Sequence, residues 1–198
     1  MADLNYQKVN CLHISDSIIF WTNSNTEADF IELVDVCYNF YWKSLQTTFP
    51  LRGCLTYGEI DFNPITIGNG KDVKFYSYSV IGKGLVDAYL KAESIEYVGC
   101  LLDKKAIEKV NNEHLIIKLI EDKKICMYKV PFKNGFRYEH VFRPMKTKLN
   151  DIAFRNYTNI IKRLFTNASK SDIDNLSENV KIKLNNTIDF INHFRETD

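Results

Sequence analysis

The chain has 198 residues, 45% of them hydrophobic and 13% aromatic, which is enough for one compact domain with a real core and excludes a disordered tail. Lys and Arg total 26 against 25 Asp and Glu, a formal net charge of +1, so no basic stripe points to nucleic acid and no acidic block to a cationic partner. No run approaches the roughly 18 apolar residues of a membrane helix, and the opening Met-Ala-Asp-Leu-Asn-Tyr carries no signal pattern, so the expectation is a cytoplasmic protein with no membrane partner.

Residues 5–13 and 18–22 read as two strands around a polar turn, Ser15-Asp16-Ser17. Thr26 is placed to cap a helix with Glu27 and Asp29 in its first turn; Phe30, Val34, Cys37, Tyr38, Tyr41 and Leu45 then recur at three- and four-residue steps to about residue 48. Residues 51–60 form the next strand, with Gly53 and Gly58 marking a bulge or a close approach. Asn69-Gly70 signals a turn before a strand over 73–80. A helix over 84–94 shows Leu85, Ala88, Tyr89 and Ala92 on one face, and a short buried strand over 97–102 follows. Asp103 caps a helix over 104–112, and strands at 125–130 and 137–142 flank Lys133-Asn134-Gly135. Two helices close the chain, about 151–166 and 172–194, the second with a narrow seam of Leu176, Val180, Leu184, Ile188 and Ile191. The five cysteines are widely spaced within apolar runs and read as buried hydrophobes in a reducing compartment; His13, alternating with Cys11, reads as a packed strand histidine. Adjacent hairpins joined by helical crossovers make the fold class α+β: a mainly antiparallel sheet with helices on one face, over residues 1–145, and a C-terminal helical pair, 146–198, packed on it.

Three stretches occur in the order and spacing of a class III nucleotide cyclase homology domain: Cys-Leu-His-Ile-Ser-Asp-Ser-Ile-Ile-Phe-Trp at 11–21, Pro-Leu-Arg-Gly-Cys-Leu-Thr-Tyr-Gly-Glu-Ile at 50–60, and Val-Ile-Gly-Lys-Gly-Leu-Val-Asp-Ala-Tyr-Leu-Lys-Ala-Glu at 80–93. The second is similar to the family's Arg-x-Gly-x-x-x-Gly strand, and the third resembles its Gly-x-x-Val-Asn-x-Ala-x-Arg helix in the Ala-Tyr variant of bacterial Pycsar-type pyrimidine cyclases, enzymes of anti-phage signalling. The resemblance covers residues 8–132 and implies a ferredoxin-like, palm-type sheet, a homodimer, a nucleoside triphosphate ligand and magnesium or manganese ions. It matches Asp16 to the second metal-binding aspartate. The strand that carries the first has no counterpart in the ten or so residues before the hairpin. Val86, Leu90, Ser79 and Leu12 stand where purine cyclases have their transition-state Asn and Arg and their base-reading Asp and Lys.

In the family the absent strand is central, between the first hairpin and the 51–60 strand. Its loss leaves two rows of backbone donors and acceptors that must pair directly, accept a strand from another chain, or be completed by residues upstream of this reading frame. Asp16 is then a metal ligand or a turn-stabilising residue. Tyr57 and Glu59, on one face by alternation beside Gly58, are nucleotide contacts or, equally, a buried tyrosine and a rim glutamate; Lys83 between Gly82 and Gly84 is a phosphate contact or a surface lysine. No catalytic residue is assigned. A two-metal cyclisation is hard to run on one carboxylate. The favoured reading is therefore a degenerate or truncated cyclase domain acting as a dimerising or nucleotide-binding module; the alternative is an active metal-dependent cyclase making a cyclic pyrimidine nucleotide, and a third reading is an unrelated α+β protein.

Overall fold

The computed structural model describes residues 8–47, 49–69, 73–166 and 173–195, with the backbone alone over 62–69 and 73–78. β1 (Val9–Ile14) and β2 (Ser17–Thr22) pair antiparallel about a two-residue loop in which Ser15 takes a φ of 56°. Thr26 caps α1 (Glu27–Gln46) reciprocally: its hydroxyl accepts from the Asp29 amide, and the Asp29 carboxylate accepts from the Thr26 amide. Along α1 the expected stripe of Phe30, Val34, Tyr38, Tyr41 and Leu45 is buried.

β3 (Gly53–Leu55) is only three residues long, against the ten expected. Beyond it the backbone turns to support a helix rather than a sheet. Gly58 lies against Gly84, and the Glu59 carbonyl accepts from the Gly84 amide at 2.9 Å, which anchors the start of α2 (Lys83–Ser94). Between them β4 (Asp61–Asn69) and β5 (Val73–Ile81) form a hairpin of their own. β4 is not legible from the sequence, because Pro64 and Gly68 break its alternation; Gly70 of the expected turn lies outside the described residues. β6 (Cys100–Leu102) precedes two helices instead of one, α3 (Lys104–Val110) and α4 (Glu113–Glu121). Asn111 closes α3 with a left-handed φ of 48°, and the Asn112 side chain accepts from the Leu115 amide to cap α4. β7 (Ile125–Phe132) and β8 (Gly135–Phe142) form a tight hairpin, followed by α5 (Asp151–Thr166) and α6 (Glu178–Asn192).

The fold is α+β. Its main sheet has the order β3-β6-β8-β7, with one parallel pair, β3–β6, and the β1–β2 hairpin stands apart from it. One face of the main sheet is covered by α1 and α6. The Tyr41 hydroxyl donates to the Val98 carbonyl at 3.2 Å, and the Phe190 ring meets Tyr97 and Tyr128 edge-on at 4.9 and 4.7 Å. On the opposite face Met127 and Tyr138 are exposed. Cys11 and His13 are exposed as well, not packed as the sequence suggests, because β1 pairs only with β2 and its outer side is left uncovered.

The seam read along α6 does reach the core through Leu184 and Ile191, but Thr187 and Phe190 complete it. Thr187 is fully buried; its hydroxyl accepts from the Val98 amide at 3.0 Å and donates to the Lys183 carbonyl at 2.6 Å. Thr187→Val keeps the shape and strands a buried N–H. It should cost about 1–3 kcal/mol in urea unfolding; a cost near zero would mean that water or another acceptor reaches Val98.

Candidate functional site

β2 and β3 are joined through α1, and their facing edges do not pair. Tyr57, two residues past β3, holds its hydroxyl beside the Asn25 side chain, three residues past β2. The two strands therefore run the same way, as a crossover through a helix requires, with an empty lane between them. A cavity of about 740 Å³ fills that lane. β2 and residues 51–58 form its sides, and Leu33, Cys37 and Phe40 of α1 together with Leu85, Ala88 and Ala92 of α2 line it. The apolar face read on the 84–94 helix is thus a wall of this trench rather than part of the core.

Hydrogen bonding along β3 shows which groups face the trench. The Gly53 amide donates to the Gly99 carbonyl, and the Leu55 carbonyl accepts from the Asp103 amide, so both residues turn toward β6. By alternation Cys54 turns its own amide and carbonyl the other way, into the trench. On the far side, β2 pairs with β1 alone.

Of the four residues singled out from the sequence, Asp16 and Tyr57 line the trench and Glu59 and Lys83 do not. Glu59 lies past the end of β3, where strand alternation no longer applies, and Lys83 is exposed at the start of α2. Asp16 and Tyr57 sit at opposite mouths: the six residues of β2 separate the Asp16 turn from Asn25 and span about 20 Å. Asp16 is exposed, with the Ser17 hydroxyl donating to it at 3.4 Å. At the other mouth the Lys109 ammonium lies 4.9 Å from the centre of the Tyr57 ring. The Asn25 side chain, and then Lys109, lower the Tyr57 hydroxyl below its ordinary pKa.

Four further residues shape the trench, though sequence reasoning gave them no site role. Arg52 pairs with Glu93 at 2.6 Å through Nη2, while its Nη1 is buried with no hydrogen-bond partner among the described residues. Arg52 is the arginine of the Arg-x-Gly stretch, so a signal for it was present. Asp103 occupies the N-cap position of α3 but does not cap it. Its buried carboxylate accepts from the Thr56 hydroxyl at 2.6 Å and pairs with Lys91, tying α2, the residue after β3 and the start of α3 together. Burial raises the Asp103 pKa, and the hydrogen bonds and charge of Lys91 and Thr56 more than offset this, leaving it below the ordinary carboxylate value. The thiols of Cys37 and Cys54, both on the trench lining, are pushed up to about 12 by burial, and Cys100 is also raised, so these cysteines stay protonated and weakly nucleophilic.

Comparison with family models, curated proteins and solved structures gave no match to this chain. What the site can do therefore follows from its own side chains. Asp16 is the one acidic residue on the trench lining, and among the described residues no three His, Cys, Asp or Glu side chains are grouped to hold an ion. This set does not fit a protein-held pair of ions. One carboxylate does fit a magnesium ion that arrives already bound to a triphosphate, since such ions take one or two protein carboxylates and keep water for the rest.

Proposed function

We propose that the chain is a degenerate cyclase-type domain that binds a nucleotide lengthwise in the trench without turning it over. The observation that carries this reading is a largely apolar cavity of small-ligand size with polar groups at its two mouths, Asp16 at one and Tyr57 with Asn25 and Lys109 at the other. The phosphates would lie at the Asp16 mouth, with their charge partly neutralised by the ion they bring. The base would lie over the apolar floor, its polar edge toward the Tyr57 hydroxyl and the Asn25 amide. Dimerisation belongs to the same reading: Val86, Tyr89 and Leu90 form an exposed apolar patch on α2 beside the trench.

The test is a titration of the purified chain with each of the four magnesium ribonucleoside triphosphates, followed by calorimetry. Saturable binding is expected. Asp16→Ala and Tyr57→Phe should each weaken it about tenfold, the value of one charge-assisted or one well-placed polar contact. No saturable binding at millimolar nucleotide would defeat the reading. A cyclic product that vanishes in Asp16→Ala would replace it with the enzymatic one.

A further inference from the structure

We infer that the trench between β2 and β3 is a docking site for an extended, apolar-and-acidic segment of another polypeptide, which adds a strand between the two edges. The inference goes beyond nucleotide binding and does not depend on it. Two features on the page specify a strand rather than a generic apolar ligand. First, both walls are strand edges: β2 has no partner on the trench side, and Cys54 of β3 presents its amide and carbonyl to the gap. Buried backbone groups of this kind are ordinarily paired, and an incoming strand pairs both rows at once. Second, the strands run the same way with one helix, α1, crossing between them, and the apolar side chains of α1 and α2 line the lane. Alternate side chains of a guest strand would meet that lining.

Charge selects the guest. The lining carries Arg52 and Lys109 against the single carboxylate of Asp16, and Asp16 lies exposed at its turn. Arg52 Nη1 is buried and lacks an acceptor, although Nη2 is already satisfied by Glu93. A carboxylate on the guest near the start of β3 supplies that acceptor, and a charge-assisted bond there is stronger than a neutral one. A guest with lysine or arginine at the same place would leave Nη1 unpaired and add like charge. The length of β2 sets the guest at about six paired residues.

The experiment pans a displayed library of random segments of about eight residues against the purified full chain, then footprints the most enriched one as a synthetic peptide by amide hydrogen exchange. The enriched sequences should alternate apolar residues and carry an Asp or Glu. The peptide should slow exchange at Cys54 and within Ser17–Thr22 about tenfold or more, and leave the edge strand β7 unchanged. Ala88→Trp, which fills the trench, should abolish binding while circular dichroism stays unchanged; the footprint on the unaltered chain carries the test should that variant not fold. Three results would overturn the inference: no enrichment over panning without the protein, protection located away from β2 and β3, or protection of those edges that appears with dimerisation of the chain alone, which would assign the trench to a second copy. The nucleotide titration is read separately, so failure of either reading is distinguishable from failure of the other.

Discussion

Lys91→Met should lower the unfolding free energy by about 3 kcal/mol, and Asp103→Asn by only about 1–2 kcal/mol. The asymmetry comes from burial. Asp103 is 1% exposed, whereas the Lys91 side chain is 39% exposed. Removing the ammonium leaves a sealed carboxylate with the Thr56 hydroxyl as its remaining side-chain partner. Removing the carboxylate's charge leaves an ammonium that still reaches water, and an asparagine that still accepts from Thr56. Urea unfolding of the two variants measures this directly, and a Lys91→Met loss no larger than the Asp103→Asn loss would show that water reaches the carboxylate. The pH dependence has a definite sign. The folded pKa of Asp103 lies below its unfolded value, so its contribution is complete above the ordinary carboxyl range and fades as pH falls through the folded value. The gap between wild type and Lys91→Met should therefore narrow below about pH 4. The same pair holds α2 against the residue that follows β3, so either variant should also loosen the wall of the trench.

Gly84→Ala and Gly58→Ala should each cost about 2–3 kcal/mol, the upper part of the range for forcing atoms into a packed contact. A methyl group on Gly58 would stand 2.5 Å from the Gly84 Cα, and one on Gly84 would stand 2.8 Å from the Gly58 carbonyl carbon and oxygen. These obstacles are backbone atoms, which cannot rotate aside. In an ordinary helix interior the change from glycine to alanine gains about 1 kcal/mol; here the sign reverses, because α2 is pressed directly on residues 58–59. Relief of the clash moves α2 away from Tyr57, so nucleotide affinity should fall with stability. A Gly84→Ala chain as stable as wild type would mean that this contact is not close.

Local signals in the chain carried much of the secondary structure. Thr26 and Asp29 mark the start of α1 by their capping chemistry, the three- and four-residue spacing from Phe30 to Leu45 marks its buried face, and the short polar loop at Ser15–Asp16 marks the first hairpin. Signals failed where a local rule was outweighed. Pro64 and Gly68 hid β4, whose partner β5 holds it regardless. The step from Asn111 to Asn112, a left-handed residue followed by a new cap, splits what reads as one helix into α3 and α4. Alternation across residues 51–60 assigned Tyr57 and Glu59 to one face, whereas the Gly58–Gly84 contact ends the strand first and separates them.

By itself, the sequence determined the α+β class, the order of most elements, the apolar faces of α1 and α2, and the unusual shortage of acidic ligands around Asp16. These are properties of spacing and residue type, which act within a few residues of chain. Only the tertiary structure decided that β2 and β3 stand apart, that Asp16 and Tyr57 occupy opposite mouths of one trench, and that Arg52, Lys91, Asp103 and Lys109 gather around it. Those relations join residues up to about ninety positions apart, and they arise because buried polar groups must find partners wherever packing brings them. Along the lane between β2 and β3 that requirement is still unmet within the chain.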